Sequence, residues 1–175
     1  AQWYLEVTGL DGFRLDAVKH IGAHFYKDLI RQLRQHYQKE LFTVGEYWHG
    51  DVRRLCNYLN EVEGEVSLFD VPLHYHFYEA SYANGNYDMA KIFDGTLVQI
   101  ANDKAVTFVD NHDTQPSQGL QSWVADWFKP LAYALILLRK DGYPCIFYGD
   151  YYGIPYSQIS GKSELLDCLL FLRKN

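Results

Sequence analysis

The sequence predicts an α/β fold, a parallel sheet covered by helices, on three observations. Short apolar, β-branched runs recur at 12–18, 41–46, 66–73, 105–109 and 145–148. Stretches with helical spacing separate them, so strand and helix alternate along the chain. The runs are also nearly continuous in apolar residues, as strands buried on both faces are.

Each element has its own signal. After 12–18, Ile21, Phe25, Leu29 and Leu33 recur at helical spacing and predict an amphipathic helix to about Tyr37. Asp51 is placed to cap a helix with an apolar stripe of Val52, Leu55, Cys56 and Leu59. The strand Val66 to Leu73 leads into an interrupted helical region from about His74 to Phe93. Ser122 to Lys140 reads as one long apolar helix, bent at Pro130. Lys140-Asp141-Gly142-Tyr143-Pro144 ends it, with a basic last turn, a glycine for the left-handed position and a proline beyond. Glu164 to Leu172 makes a short final helix.

At 175 residues one domain is expected, 1–175. The net charge of −6, without a long basic run, argues against nucleic acid as partner. No apolar run has the length of a membrane span. Cys56, Cys145 and Cys168 are too few and scattered for a disulfide framework, which leans towards a reducing, cytoplasmic setting. The opening Ala1-Gln2-Trp3-Tyr4 reads as the middle of something longer, so a secreted protein stays open.

Three acids sit where apolar runs end: Asp16, Glu46 and Asp113. A carboxylate there is costly unless the site uses it. The ends of parallel strands form the face on which barrel enzymes keep their chemistry, and paired carboxylates suit glycoside hydrolysis. A flavodoxin-like open sheet is the rival, but no glycine-rich phosphate loop follows the first strand. About five strands are present where eight close a barrel, so a fragment is expected, or a chain whose open edges another chain covers. The 15 tyrosines and 4 tryptophans also suit a sugar cleft, because such rings offer an apolar face and a polar edge.

Gly12-Phe13-Arg14-Leu15-Asp16-Ala17-Val18-Lys19-His20, Gly45-Glu46-Tyr47-Trp48 and Phe108-Val109-Asp110-Asn111-His112-Asp113-Thr114-Gln115-Pro116 together resemble the α-amylase family of glycoside hydrolases. They stand in the family's order, and the text between them looks like the family's liquefying and intracellular bacterial members. The resemblance implies part of a TIM (β/α)8 barrel, about strands 4 to 8 with their helices. It implies Asp16 as nucleophile, Glu46 as general acid/base and Asp113 as stabiliser of the transition state. A retaining enzyme needs its two working carboxyls ~5–5.5 Å apart. Neighbouring parallel strands lie ~4.8 Å apart, so Asp16 and Glu46 on adjacent strand ends meet that need. Arg14, two residues before Asp16, points to the same side and can hold its charge; a plain buried ion pair is the alternative.

By the same resemblance His112 grips the sugar beside Asp113, and Lys19 and His20 contact the leaving-group side of the glucan. The His20 carbonyl is a candidate ligand for structural calcium, the one cofactor implied, although the other expected ligands lie upstream of residue 1. Trp48 is a candidate sugar platform, with packing as the alternative. Asp70 either lines the cleft or caps a helix. His74-Tyr75-His76 has no third ligand nearby and makes a poor zinc site. The family's first signature segment, its inserted loop domain and its C-terminal β-sandwich are absent. The expected function is retaining endo-hydrolysis of α-1,4-glucosidic bonds in starch, glycogen and maltooligosaccharides. The alternatives are a non-catalytic glucan-binding or assembly fragment, and a transglycosylase using the same residues.

Overall fold

Five parallel strands pair in the order in which the chain makes them. The computed structural model describes residues 1–175. In chain order the elements begin with α1 (Gln2–Thr8), β1 (Gly12–Leu15), α2 (Ala23–Tyr37), β2 (Phe42–Gly45) and α3 (Val52–Glu61). Next come β3 (Ser67–Phe69), α4 (Val71–Tyr82), α5 (Leu97–Ile100), β4 (Ala105–Phe108) and α6 (Lys129–Leu137). The chain ends with β5 (Tyr143–Cys145), α7 (Tyr148–Tyr152), the hairpin strands β6 (Gly153–Ile154) and β7 (Ile159–Ser160), and α8 (Ser163–Lys174).

The helices cover the outer face of the sheet. In α2 the buried residues Tyr26, Ile30 and Leu33 follow helical spacing, and Asp51 caps α3 by accepting the Arg53 N–H at 3.0 Å. Leu68 and Ala105 from the sheet pack with Leu55, Phe77 and Tyr133 from the helices in one continuous core. The inner face holds a smaller cluster of Trp48, Val71 and Phe108. Phe42 on β2 meets Tyr143 on β5 with ring centroids 5.2 Å apart, so the sheet curls like the wall of a barrel. Close strand approach needs Gly12, where a Cβ would fall 1.7 Å from the Phe42 carbonyl oxygen.

Four expectations change. The third strand stops at Phe69, because Asp70 caps α4 through the Leu73 N–H at 3.1 Å. Asp70 also accepts the Leu97 and Val98 N–H groups, so it is a fully buried cap and not a cleft residue. Residues 122–128 are not helical: the Val124 N–H goes to Asp110 and the Ala125 N–H to the Ser81 hydroxyl. Pro130 therefore opens α6 in its first turn, where it suits the geometry, and bends nothing. β5 begins two residues early and contains Pro144, which an edge strand tolerates. The helix α1 and the β6–β7 hairpin have no counterpart in the sequence reading.

Candidate active site

The ladder between β1 and β2 continues past the strand ends and sets Asp16 beside Glu46. The Glu46 N–H donates to the Leu15 carbonyl at 2.9 Å, and the Val18 N–H donates to the Glu46 carbonyl at 3.0 Å. Ala17 takes a left-handed conformation with φ 45°, and its N–H donates to Glu46 Oε2 at 3.0 Å. That turn ends the strand at Leu15 and exposes Asp16, whose side chain is 75% accessible against 8% for Glu46. Arg14 Nη1 binds the Asp16 carboxylate, while Nη2 lies 3.6 Å from Glu46 Oε2. One guanidinium thus touches both carboxylates, which its planar fork suits.

Asp113 stands on the loop after β4. Asn111 Oδ1 accepts the N–H groups of Asp113 at 2.9 Å and Thr114 at 3.0 Å, folding the loop into a tight turn. The Asp113 carboxylate pairs with His112 Nε2 at 3.2 Å. Arg14 and His112 line one cavity of about 170 Å³, together with Asn111, Phe69, Phe108 and Tyr148. The partners of all three acids therefore meet at a single space on the C-terminal side of the sheet.

Beneath that loop lies a cluster of three charges, all fully buried. Lys129 Nζ is 2.9 Å from Asp110 Oδ2, binds Asp150, and sits 3.0 Å from the centre of the Trp123 ring. The Tyr133 hydroxyl donates to Asp150 Oδ2 at 2.6 Å, and the Thr114 hydroxyl donates to Asp110 Oδ1 at 2.7 Å. Burial pushes the Asp110 carboxyl up to about 7; Lys129 opposes the rise and the Asp150 charge adds to it. Sequence reasoning missed this cluster. Its signal was a lone lysine within Trp127-Phe128-Lys129-Pro130-Leu131-Ala132-Tyr133-Ala134, an otherwise apolar run.

Lys19 and His20 lie elsewhere, in a groove of about 630 Å³ shared with Tyr47, Arg54 and Tyr58. Lys19 Nζ donates to the Trp48 carbonyl at 3.3 Å, which keeps it close to the Glu46 segment. Trp48 is only 8% exposed, packed on Val71 and Phe108, with its indole N–H on the Tyr75 hydroxyl at 3.0 Å. In this chain it is a packing residue, not an open platform.

His74 is no zinc ligand: its Nδ1 is 2.6 Å from the Val109 carbonyl and its Nε2 is 2.8 Å from the Ser122 hydroxyl. His76 Nδ1 is 2.9 Å from the Ile92 carbonyl. No three His, Cys, Asp or Glu side chains converge to hold a metal ion.

Residues 1–165 match the family model described as alpha amylase, catalytic domain. The chain belongs to the alpha-amylase family. An alpha-amylase of Geobacillus stearothermophilus is 53% identical over 174 residues, covering 99% of this chain and 32% of the relative. The cytoplasmic alpha-amylase of Escherichia coli is 52% identical over 164 residues, covering 94% of this chain and 33% of the relative. The chain thus spans about a third of the length of these alpha-amylases. A crystal structure of an Anoxybacillus alpha-amylase matches with a TM-score of 0.73 at 23% identity, over 98% of this chain and 40% of that one. The five-stranded sheet is accordingly an arc of the alpha-amylase TIM barrel. No helix is long and apolar enough to cross a membrane.

Proposed function

We propose that this chain carries the catalytic face of an α-amylase, a retaining endo-hydrolase of α-1,4 bonds in starch, glycogen and maltooligosaccharides. The observation that supports it most is the Arg14 guanidinium in contact with both Asp16 and Glu46 at neighbouring strand ends. Asp16 attacks the anomeric carbon while Glu46, carrying a proton, gives it to the leaving oxygen. Water then takes the place of the leaving sugar, and Glu46, now the base, removes a proton from it as the Asp16 ester breaks. Asp113, with His112, stabilises the positive charge on the sugar at the transition state. Arg14 keeps Asp16 aligned, and Lys19 and His20 hold the leaving side. The free thiols Cys56, Cys145 and Cys168 suit a cytoplasmic setting.

The test is a reducing-sugar assay on soluble starch with Asp16→Asn and Glu46→Gln. Both variants abolish release if the reading holds; undiminished release from either rejects it. A second reading is glucan binding without turnover. Calorimetry showing maltohexaose bound without product favours it.

A further inference from the structure

We propose that Tyr148 and Tyr152 form a stacking platform for the glucan chain where it emerges from the cavity under Arg14 and His112. The inference rests on the glucan reading above and adds a subsite to it.

Tyr148 lines that cavity and is 71% exposed at its mouth. Tyr152, 65% exposed, lies one helical turn on in α7, and the two ring centroids are 4.5 Å apart. The spacing puts both rings on one face of the helix. Tyr151 plays a different part: its hydroxyl donates to Asp167 at 2.7 Å and ties α7 to α8. Tyr156, also exposed, donates to Gln115 at 3.3 Å, two residues beyond Asp113.

Two neighbouring exposed tyrosines present an aromatic face continuous with the cavity. The only charged side chain of α7, Asp150, is fully buried, so the platform is neutral. A neutral polyol is the matching ligand class. The C–H face of a glucose ring packs on an aromatic ring, and its hydroxyl edge meets the phenol oxygens. Continuity with the cavity, through Tyr148, singles out the glucan over a protein partner.

The platform is also held still. Lys129 and the Tyr133 hydroxyl fix Asp150 from below, and the Lys162 N–H donates to the Asp150 carbonyl at 2.8 Å. A helix already anchored has less backbone freedom to lose when sugar arrives. The same lysine thus anchors both the loop of Asp113 and the helix of Tyr148.

Calorimetry of the 175-residue chain with maltohexaose tests this. Tyr148→Ala and Tyr152→Ala should each weaken binding about three- to tenfold, the range for a lost aromatic contact. Tyr148→Phe and Tyr152→Phe, which keep the rings, should stay within about twofold. Trp3→Ala, which removes an exposed ring elsewhere, should change nothing. Alanine variants that bind like wild type overturn the proposal, as does a wild-type chain that binds no maltohexaose. Sedimentation velocity supplies another way to lose: a wild-type dimer that the alanine variants dissolve, with sugar affinity untouched, assigns the rings to a second copy. The catalytic reading fails separately. Weakened binding in the alanine variants of a chain that releases no reducing sugar supports the platform and removes the hydrolase. Release with unaltered binding does the reverse.

Discussion

Lys129→Met asks whether three buried charges hold up the loop of Asp113. Methionine keeps the length and flexibility of the stem and removes only the ammonium. That ammonium lies 2.9 Å from Asp110, binds Asp150 and has no solvent exposure. Taking one partner from a buried ion pair costs ~3–5 kcal/mol, since the other charge is left uncompensated. Here two carboxylates are stranded, but each keeps hydrogen bonds: Asp150 to Tyr133 at 2.6 Å, Asp110 to Thr114 at 2.7 Å and to the Val124 N–H at 3.2 Å. Those contacts place the expected loss near the lower end, about 3 kcal/mol.

The loss should also depend on pH. The Asp110 carboxyl is already pushed up to about 7, chiefly by burial, and without Lys129 it rises further. A carboxyl with a raised folded value binds more protons in the folded state than in the unfolded one, so stability falls as pH rises through that window. Urea unfolding followed by circular dichroism at pH 6 and pH 8 should therefore show the larger loss at pH 8. Adding Asp110→Asn and Asp150→Asn to Lys129→Met removes every charge and should recover most of the stability. A loss under ~1 kcal/mol at pH 8, or the same loss at both values, would refute the reasoning.

Burial pushes the His74 imidazole down to about 4, so between pH 6.5 and 4 the unfolded chain binds the extra proton and stability falls with acid, by about 3 kcal/mol in all. Urea midpoints at pH 4.5, 5.5 and 6.5 for wild type against His74→Gln should isolate that slope; parallel curves count against it. Asp70→Ala leaves three backbone N–H groups without an acceptor. It should cost ~3 kcal/mol or more, read as a melting point lower by about 6 °C or more. Arg14→Lys gives one ammonium in place of a fork and should lower starch hydrolysis about 10²-fold with the fold unchanged; full activity would show that the bridge does not set the geometry.

Strand ends were legible because a charge after an apolar run is informative: Asp16 and Glu46 fall where β1 and β2 finish. The Asp51 cap was legible for a similar local reason, its side chain reaching an N–H only two residues ahead. Residues 122–128 were misread because their apolar composition suits a helix, while the acceptors that claim their N–H groups come from Ser81 and Asp110, distant in the chain. Trp48 carried two readings that only packing separates. The pairing of Lys129 with Asp150 spans 21 residues and follows no short-range rule. Local chemistry is written in neighbours, and long-range satisfaction is not.

The order of the sheet bears on how such a chain takes shape. Strands adjacent in space are adjacent in sequence from β1 to β5, so each new unit docks on a surface the previous one has finished. Every pairing closes a loop of one unit only, which keeps the entropy of each closure small. A ribosome releasing these residues in order can lay down this arc of the wall course by course, each strand docking on the one before it.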